Sequence, residues 1–411
     1  MADSAPKGPL HGLLVLAMSR ILAGPTAAQM LGDLGATVIK IENPKTGGDD
    51  TRSWGPPYAE THVGDSDLSA YFMSSNRNKF SVAADLSTEA GRAVIHAIAA
   101  RADILIENYK VDGLKKYGLD HATLCETYPA LVYCSISGFG QTGPNRTRPG
   151  YDLMAQGFGG IMALTGAADG PPIKVGVGIA DVMCGMYAAV GILAALRHRD
   201  QTGQGQHIDL GLVDTQMAWL INEGTNYLTS GTEPQRRGNA HPNIVPYEAF
   251  ATTDGHVLIA VGNDSQFQRF CGAIGRDDLR QDARYVTNPG RVAARGALIP
   301  ELTETNATLP SADLLARLEE AGVPAGPIHT VSQALRSDQA QARDAVVRMP
   351  NADTVAGSVE LLGNPLKFSK TPVTYRTPPP RFGAHTAALD QLLSSHGQAA
   401  QNFSNSRKDD V

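Results

Sequence analysis

Residues 13–41 read LLVLAMSRILAGPTAAQMLGDLGATVIKI, and this stretch decides the fold class. Leu13 to Met18 is a short apolar run, Pro25 to Leu34 carries apolar residues at helical spacing, and Thr37 to Ile41 is again β-branched and apolar. A proline in the first turn and a glycine just after the last periodic residue fit the two helix ends. The stretch therefore predicts a β-α-β unit.

The alternation of strand and helix continues along the chain. Further strands are expected at Asp103 to Glu107, Leu131 to Ser137 and Gln206 to Leu212. Helices are expected between them, with Ser87 as the cap of one ending near Ala100, and others at His121 to Glu126, Val182 to about Leu196 and Val213 to about Leu228. Such alternation predicts an α/β fold with a parallel sheet covered on both faces.

The texture changes after Gly231, where Gly, Pro, Asn and Arg become frequent. A hairpin is expected at Ala249 to Ala260, with short helices at Ser265 to Ile274 and Ser311 to Ala321. We expect a large Rossmann-like domain over 1–212, a linker helix over 213–230 and a small α+β domain over 231–330. A return linker and C-terminal segment over 331–411 should pack on the large domain, with Leu361 to Phe382 on its surface and Asn402 to Val411 frayed.

Composition and charge narrow the class of partner. The 411 residues carry 35 Lys and Arg against 41 Asp and Glu, a net charge of −6, without long blocks of one sign. This argues against a nucleic acid or an anionic membrane as partner and favours small-molecule ligands. The four cysteines are far apart and form no C-x-x-C pair, and Leu13 to Met18 is too short to span a membrane, so we expect a cytoplasmic enzyme.

A glycine loop follows the strand expected at Leu131 to Ser137. Gly138-Phe139-Gly140-Gln141-Thr142-Gly143 matches the G-x-G-x-x-G pattern of dinucleotide sites, but that pattern must open a helix. Here two prolines follow, and helical periodicity starts only after Gly150. A nicotinamide site is therefore not expected, although a loop at this end of a strand is where ligands of open α/β sheets bind.

Asp181 directly precedes a long apolar helix and follows the glycine-rich segment Val175 to Gly178. An aspartate in this place is typically a helix cap. It could instead be a nucleophile whose tetrahedral intermediate is stabilised by free backbone amides. Spacing alone leaves both interpretations open.

Other polar residues offer weaker signals. Basic residues near the first strands could hold a phosphate or be ordinary surface: Arg20, Lys40, Lys45, Arg77, Lys79, Lys110, Lys115 and Lys116. His241, in a proline-braced loop, could be structural or touch substrate. The His, Cys and carboxylate residues show no metal-ligand spacing, so no metal is expected.

Several collinear motifs together resemble the type III CoA-transferase family, the group that contains formyl-CoA transferase. They are Ala23-Gly24-Pro25, Leu34 to Glu42, Asn76-Arg77-Asn78-Lys79, Ile106-Glu107-Asn108-Tyr109, Gly138 to Pro144, Pro149-Gly150-Tyr151-Asp152 and Gly203-Gln204-Gly205-Gln206. The likeness runs from about Gly12 to Phe382. It implies a Rossmann-like large domain without nicotinamide, a small domain joined by two linkers, and a homodimer interlocked like links.

The resemblance also assigns residues. It implies that Asp181 is the nucleophile, which is compatible with a place at the start of a helix. It places CoA contacts at Leu22, Ala23, Asn43, Lys79, Asn108, Tyr109 and Lys116. Relatives commonly have Arg where this chain has Asn43, so Lys45 is an alternative phosphate contact. Oxyanion and acyl-pocket groups are expected at Gly138, Phe139, Gly140, Gln141, His241, Pro242 and Asn243.

The function implied is CoA transfer from an acyl-CoA, with CoA as a substrate and no tightly bound cofactor. Oxalate-handling relatives have a run of glycines where this chain has His241-Pro242-Asn243, which favours succinyl-CoA and a C4 to C6 dicarboxylate. Three alternatives stay open: an α-methylacyl-CoA racemase, a non-catalytic acyl-CoA binding protein and a nicotinamide oxidoreductase. The racemases carry a His where this chain has Tyr151, and Tyr is a poor base near neutral pH.

Overall fold

The computed structural model describes residues 8–396, so the tail expected to fray lies outside the described residues. The chain divides into two compact units. The large unit comprises 8–161, 174–220 and 339–396, and the small unit comprises 162–173 and 221–338.

A six-stranded parallel sheet forms the centre of the large unit, as the alternation predicted. Its strands are β1 Leu14–Met18, β2 Thr37–Glu42, β3 Lys79–Ala83, β4 Ile104–Glu107, β5 Val132–Ser137 and β6 His207–Gly211. Their spatial order is β3-β2-β1-β4-β5-β6, so β1 pairs with both β2 and β4 and the order reverses there. Ligands of open α/β sheets bind at such a reversal, outside the carboxyl ends of the strands.

Helices cover both faces of this sheet. In chain order the helices of the large unit up to α8 are α1 Ala23–Asp33, α2 Ala70–Ser74, α3 Glu89–Ala99, α4 His121–Thr127, α5 Asp152–Phe158, α7 Ile179–Thr202 and α8 Leu212–Ala218, whereas α6 Ile161–Leu164 lies almost wholly in the small unit. Alternate β1 side chains point to opposite faces, so Val15 packs with α1 and α7 whereas Leu16 packs with α3 and α4. The cap of α3 is Thr88 rather than Ser87, because the hydroxyl of Ser87 is bonded to Asp85.

The small unit has its own core around a three-stranded antiparallel sheet. It contains α9 Ile221–Ser230, β7 Tyr247–Thr252, β8 Gly255–Ala260, α10 Asp264–Ala273, α11 Asp277–Gln281, α12 Asn288–Ala293, α13 Arg295–Asn306, α14 Ser311–Glu320, β9 Ala325–Pro327 and α15 Val331–Arg336. The hairpin of β7 and β8 is confirmed. The single helix expected over Val213 to Leu228 is wrong: α8 ends at Ala218, and Ile221 has a left-handed φ of 44° at the start of α9.

The last described segment returns to the large unit. After α16 Asp338–Ala342 comes the antiparallel pair β10 Val346–Pro350 and β11 Ser358–Leu362. The guanidinium of Arg376 then donates to the carbonyls of Gly32, Gly35 and Ala36 at 2.7–3.2 Å, and Thr374 donates its N–H to Asp33 at 2.9 Å. This segment therefore bonds carbonyls at the end of α1 and just after it, and the Gly32 carbonyl also accepts the N–H of Gly35 at 3.0 Å.

Candidate active site

A cavity of about 420 Å³ opens where the strand order reverses, at the carboxyl ends of β1 and β4. Its lining includes residues 20–23 after β1, 108–111 and 116–117 after β4, 136–138 at the end of β5, 146–151, and Asp181 at the start of α7. Five cationic side chains line it: Arg20, Lys110, Lys116, Arg146 and Arg148. The cavity therefore combines a buried carboxylate with basic groups suited to an anionic ligand.

Asp181 is not the cap of its helix. Helix α7 begins at Ile179 and its cap position is Gly178, so Asp181 lies in the first turn. The free N–H of Ala180 is instead bonded by the carboxylate of Asp152 at 2.8 Å. The side chain of Asp181 is thus left unused by helix capping and faces the cavity.

Burial changes the acidity of Asp181. The residue is 7% exposed, and its pKa is raised to about 7, first by burial and then by the negative charge of Asp152. A carboxylate with a raised pKa is more basic than an ordinary one and is incompletely solvated, so it is a better nucleophile when ionised.

Tyr71 is a neighbour of Asp181 that the sequence did not reveal. Its pKa is raised by burial, then by the charges of Asp181 and Asp152, and Trp54 meets its ring edge-on with centroids 5.2 Å apart. Tyr71 lies on the five-residue helix α2, far from Asp181 in the sequence. Only tertiary packing brings the two within electrostatic range, so no local pattern could have indicated the pair.

The glycine loop does not open a helix, as expected, since α5 begins only at Asp152. Gly138 lines the cavity and packs closely against Gly150. A Cβ added to Gly138 would lie only 2.5 Å from the Gly150 Cα, so a larger residue would not fit there. Beyond it the loop turns away: Gly140 has a φ of 79°, and Gln141 already donates its N–H to Asp209 at 3.0 Å.

The aromatic ring of Phe139 contacts Phe158 edge-on, with centroids 5.1 Å apart, and carries the Arg148 guanidinium 5.3 Å above it. Of the predicted loop residues, Gly138 alone is among the residues lining the cavity, within the part of the chain that the structure describes.

Most of the predicted CoA contacts come together at the cavity. Leu22, Ala23, Asn108, Tyr109 and Lys116 all line it. They come from two segments distant in sequence, which meet because β1 and β4 are adjacent in the sheet.

The other predicted phosphate contacts are placed differently. The Lys79 ammonium is buried and donates to Pro25 O, Ser75 O and Asn76 Oδ1 at 2.6–2.9 Å. Burial, followed by the positive charge of Lys40, lowers the pKa of Lys79. Asn43 accepts the N–H of Lys45 and lines a separate cavity of about 240 Å³, while the Lys45 ammonium pairs with Asp85 at 2.8 Å. A CoA contact by Lys79 would require its ammonium to leave these partners, whereas the Lys45 side chain is 63% exposed.

The loop at His241 belongs to the small unit. Its imidazole Nδ1 accepts the N–H of Asn243 at 3.1 Å, and Arg295 donates to the carbonyls of His241 and Pro242. Burial lowers the pKa of His241. The loop is therefore braced by its own hydrogen bonds, and its role in an acyl pocket stays a prediction.

The apolar character of α7 also has a structural cause. Its most apolar 18-residue stretch has a mean hydropathy of 1.9, enough by length and composition to cross a membrane, yet 56% of that stretch is buried inside the protein. Core helices of globular proteins have this character. Within residues 8–396 there is no group of three or more His, Cys, Asp or Glu placed to hold a metal ion.

Comparison with known proteins gives consistent matches over nearly the whole chain. The sequence family described as CoA-transferase family III matches residues 10–386. The chain is 47% identical over 384 residues to a succinate–glutarate CoA-transferase of Agrobacterium fabrum, covering 93% of this chain and 95% of that protein. It is 40% identical to a mouse succinyl-CoA:glutarate CoA-transferase, covering 97% and 89%. A crystal structure of a CAIB/BAIF family protein from Brucella suis superposes with a TM-score of 0.83 at 45% identity, covering 94% of this chain and all of that one.

Proposed function

The chain belongs to CoA-transferase family III and is a CoA-transferase, and from this premise we propose that it moves CoA from succinyl-CoA to a dicarboxylic acid of glutarate's class, with Asp181 as nucleophile. The observation that carries the proposal is the buried carboxylate of Asp181 in a cavity whose lining includes five cationic side chains. The relatives named for succinate and glutarate support the choice of acids.

Transfer between two carboxylic acids exchanges one thioester for another, so no ATP is required. In the first half, an Asp181 oxygen attacks the succinyl carbonyl carbon, the C–S bond breaks and CoA leaves as thiolate. The product is a mixed anhydride of Asp181 and succinate. The thiolate then attacks the aspartyl carbonyl, and succinate departs with the anhydride oxygen to leave an aspartyl-CoA thioester.

The acceptor reverses these steps. Its carboxylate attacks the aspartyl thioester and expels CoA thiolate, which then attacks the acceptor's carbonyl in the new anhydride and frees Asp181. A carboxylate is a weak nucleophile, so the rate depends on holding the reactants in place, which is worth up to about 7 to 11 kcal/mol. The long CoA body supplies this binding energy through contacts with the cationic side chains of the cavity, away from the reacting atoms.

The loss of negative charge on Asp181 during the reaction fits its raised pKa. The free carboxylate of the succinyl group and an ionised Asp181 repel each other, and burial makes the ionised form of Asp181 costly until it is converted to the anhydride or the thioester. Forming the neutral anhydride or thioester therefore relieves the cost of burying a charge.

The homodimer is also part of the proposal, and two observations support it. The resemblance implies two interlocked copies, and α7 exposes apolar side chains at helical spacing on one face. Met186, Val190 and Leu193 are 43%, 65% and 38% exposed. Exposed apolar faces of this kind mark protein–protein contacts.

A cytosolic location is supported by the four cysteines, all within the described residues and all free thiols.

The test is incubation with succinyl-CoA and a series of C4 to C6 dicarboxylates, with mass-spectrometric detection of the new thioester. Transfer by wild type and its loss in Asp181→Ala are expected, and hydroxylamine should trap a modification on the peptide that holds Asp181. Asp200→Ala, on the exposed end of the same helix, is the matched control. Product formation by Asp181→Ala at a rate close to that of wild type would contradict the assignment.

A further inference from the structure

The backbone between β1 and α1 has an unusual conformation. Ile21 has a φ of 71°, in the left-handed region that β-branched residues rarely adopt. Ile21 also lines the cavity, together with Arg20, Leu22 and Ala23. Strained residues of this kind persist only where the surrounding structure holds them, and they cluster at ligand sites.

Two buried charged residues hold this segment. Both carboxylate oxygens of Asp49 accept the N–H of Ile21, at 3.1 and 3.2 Å. The Lys40 ammonium lies 2.7 Å from Asp49 Oδ2 and donates to the carbonyl of Ser19 at 2.8 Å. The side chains are 1% and 0% exposed, so the pair is sealed from solvent. One ion pair thus fixes the residues on both sides of Arg20.

The opposite side of the segment is held by the β4 loop. The amide of Asn108 accepts the N–H of Arg20 at 3.0 Å and donates to its carbonyl at 2.7 Å. The three consecutive residues 19–21 are therefore bonded from two sides, although none of them belongs to a helix or a strand. Bonds from two sides of this kind are what a strained backbone conformation needs in order to persist.

A buried ion pair is itself weak evidence for stability, since well-packed apolar residues often serve as well. A requirement for position accounts better for its presence here. We propose that Lys40 and Asp49 are positioning residues for acyl-CoA binding, which hold Ile21 in its left-handed conformation and so fix the cavity wall formed by residues 20–23. The inference rests on the proposed function, since that function makes this wall part of the CoA site.

The experiment compares Asp49→Asn with Asp33→Asn. Asp33 forms an equally buried pair with Arg77 in the same unit, at 2.6 Å, and its carboxylate bonds Arg77, Asn78 and Asn364 rather than residues 19–21, so it controls for the loss of a buried ion pair. For Asp49→Asn we expect the KM for succinyl-CoA to rise about tenfold, the equivalent of one charged hydrogen bond, with kcat and the KM of the acceptor changed less than about threefold. Asp33→Asn should lower the melting temperature and leave the KM for succinyl-CoA unchanged.

A second variant removes the clamp at its other end. Ile21→Pro deletes the donated N–H and forces φ to about −65°, while the Lys40–Asp49 pair stays intact. It should weaken CoA binding, measured by calorimetry, at least as much as Asp49→Asn, and it remains informative if Asp49→Asn does not fold.

Wild-type affinity for CoA in Ile21→Pro, or an equal rise of KM in Asp33→Asn, would overturn the inference. If wild type binds CoA but transfers it to none of the acids, the proposed function fails, while the calorimetric comparison of the variants still tests the clamp.

Discussion

Replacing Asp181 with Asn should make the protein more stable as well as inactive. In the folded chain the pKa of Asp181 is raised from 3.8 to about 7, so between these values the folded carboxyl keeps a proton that the unfolded one has lost. Stability therefore falls as pH rises through this window, by about 1.4 kcal/mol per pH unit, which amounts to roughly 4 kcal/mol above pH 7. Asn cannot ionise and escapes this cost.

The difference in the free energy of unfolding between Asp181→Asn and wild type should accordingly grow in favour of the variant by roughly 2 to 3 kcal/mol between about pH 5 and about pH 8. Urea unfolding followed by tryptophan fluorescence measures it, because both tryptophans of the chain, Trp54 and Trp219, lie in the large unit. Asp200→Asn, at a half-exposed position on the same helix, should show no such growth. A difference that does not change with pH, or an Asp181→Asn protein less stable than wild type at about pH 8, would refute the argument from burial.

Three further substitutions, one of them with a control variant, test the residues assigned to the CoA site and to the loop beside it. Lys79→Met leaves three buried acceptors without their donor, at a cost of roughly 1 to 3 kcal/mol each, so calorimetry should show a lower melting temperature. The KM for succinyl-CoA should stay within about twofold of wild type. A large rise of KM would instead indicate a direct CoA contact by Lys79. Lys116→Gln should raise the KM for succinyl-CoA about tenfold and leave the acceptor's KM unchanged, in steady-state assays; equal changes in both would count against a CoA contact. Gly150→Ala places a Cβ 2.2 Å from the Gly138 Cα and should cost about 1 to 3 kcal/mol of stability together with activity. Gly191→Ala is the control within α7, because its Cβ would meet the Ile208 side chain at an ordinary contact distance of 3.5 Å, and it should be neutral or stabilising by up to about 1 kcal/mol. Equal melting temperatures of the two variants would show that the loops can separate.

The order of elements in the large unit could be predicted from sequence because its signals are local. Strands buried on both faces appear as short apolar runs, and β1, β2, β4 and β5 were found within one or two residues of their bounds. Strand β3 was missed because Lys79 and Ser81 interrupt its apolar pattern. Both polar groups are satisfied inside by partners such as Ser75 and Glu42, which no local pattern shows.

The candidate site was predicted less evenly. The motif resemblance pointed to Asp181, Asn108 and Tyr109, which do meet at one cavity. It did not show that Gln141 donates its N–H to an aspartate, nor that Tyr71 lies near Asp181, since both depend on how distant segments pack. Side-chain chemistry was readable from the sequence, but the direction in which each group points was not.

The contact of residues 374–376 with the end of α1 has a consequence for synthesis on the ribosome. Arg376 and Thr374 cover carbonyls at the end of α1, yet they emerge some 340 residues after the helix they complete. All residues of the small unit precede Thr374 in the chain, so they are synthesised first. The small unit can therefore fold before the residues that bond the end of α1 have been made. A nascent chain arrested before Thr374 should therefore expose α1 to protease while the small unit already resists it.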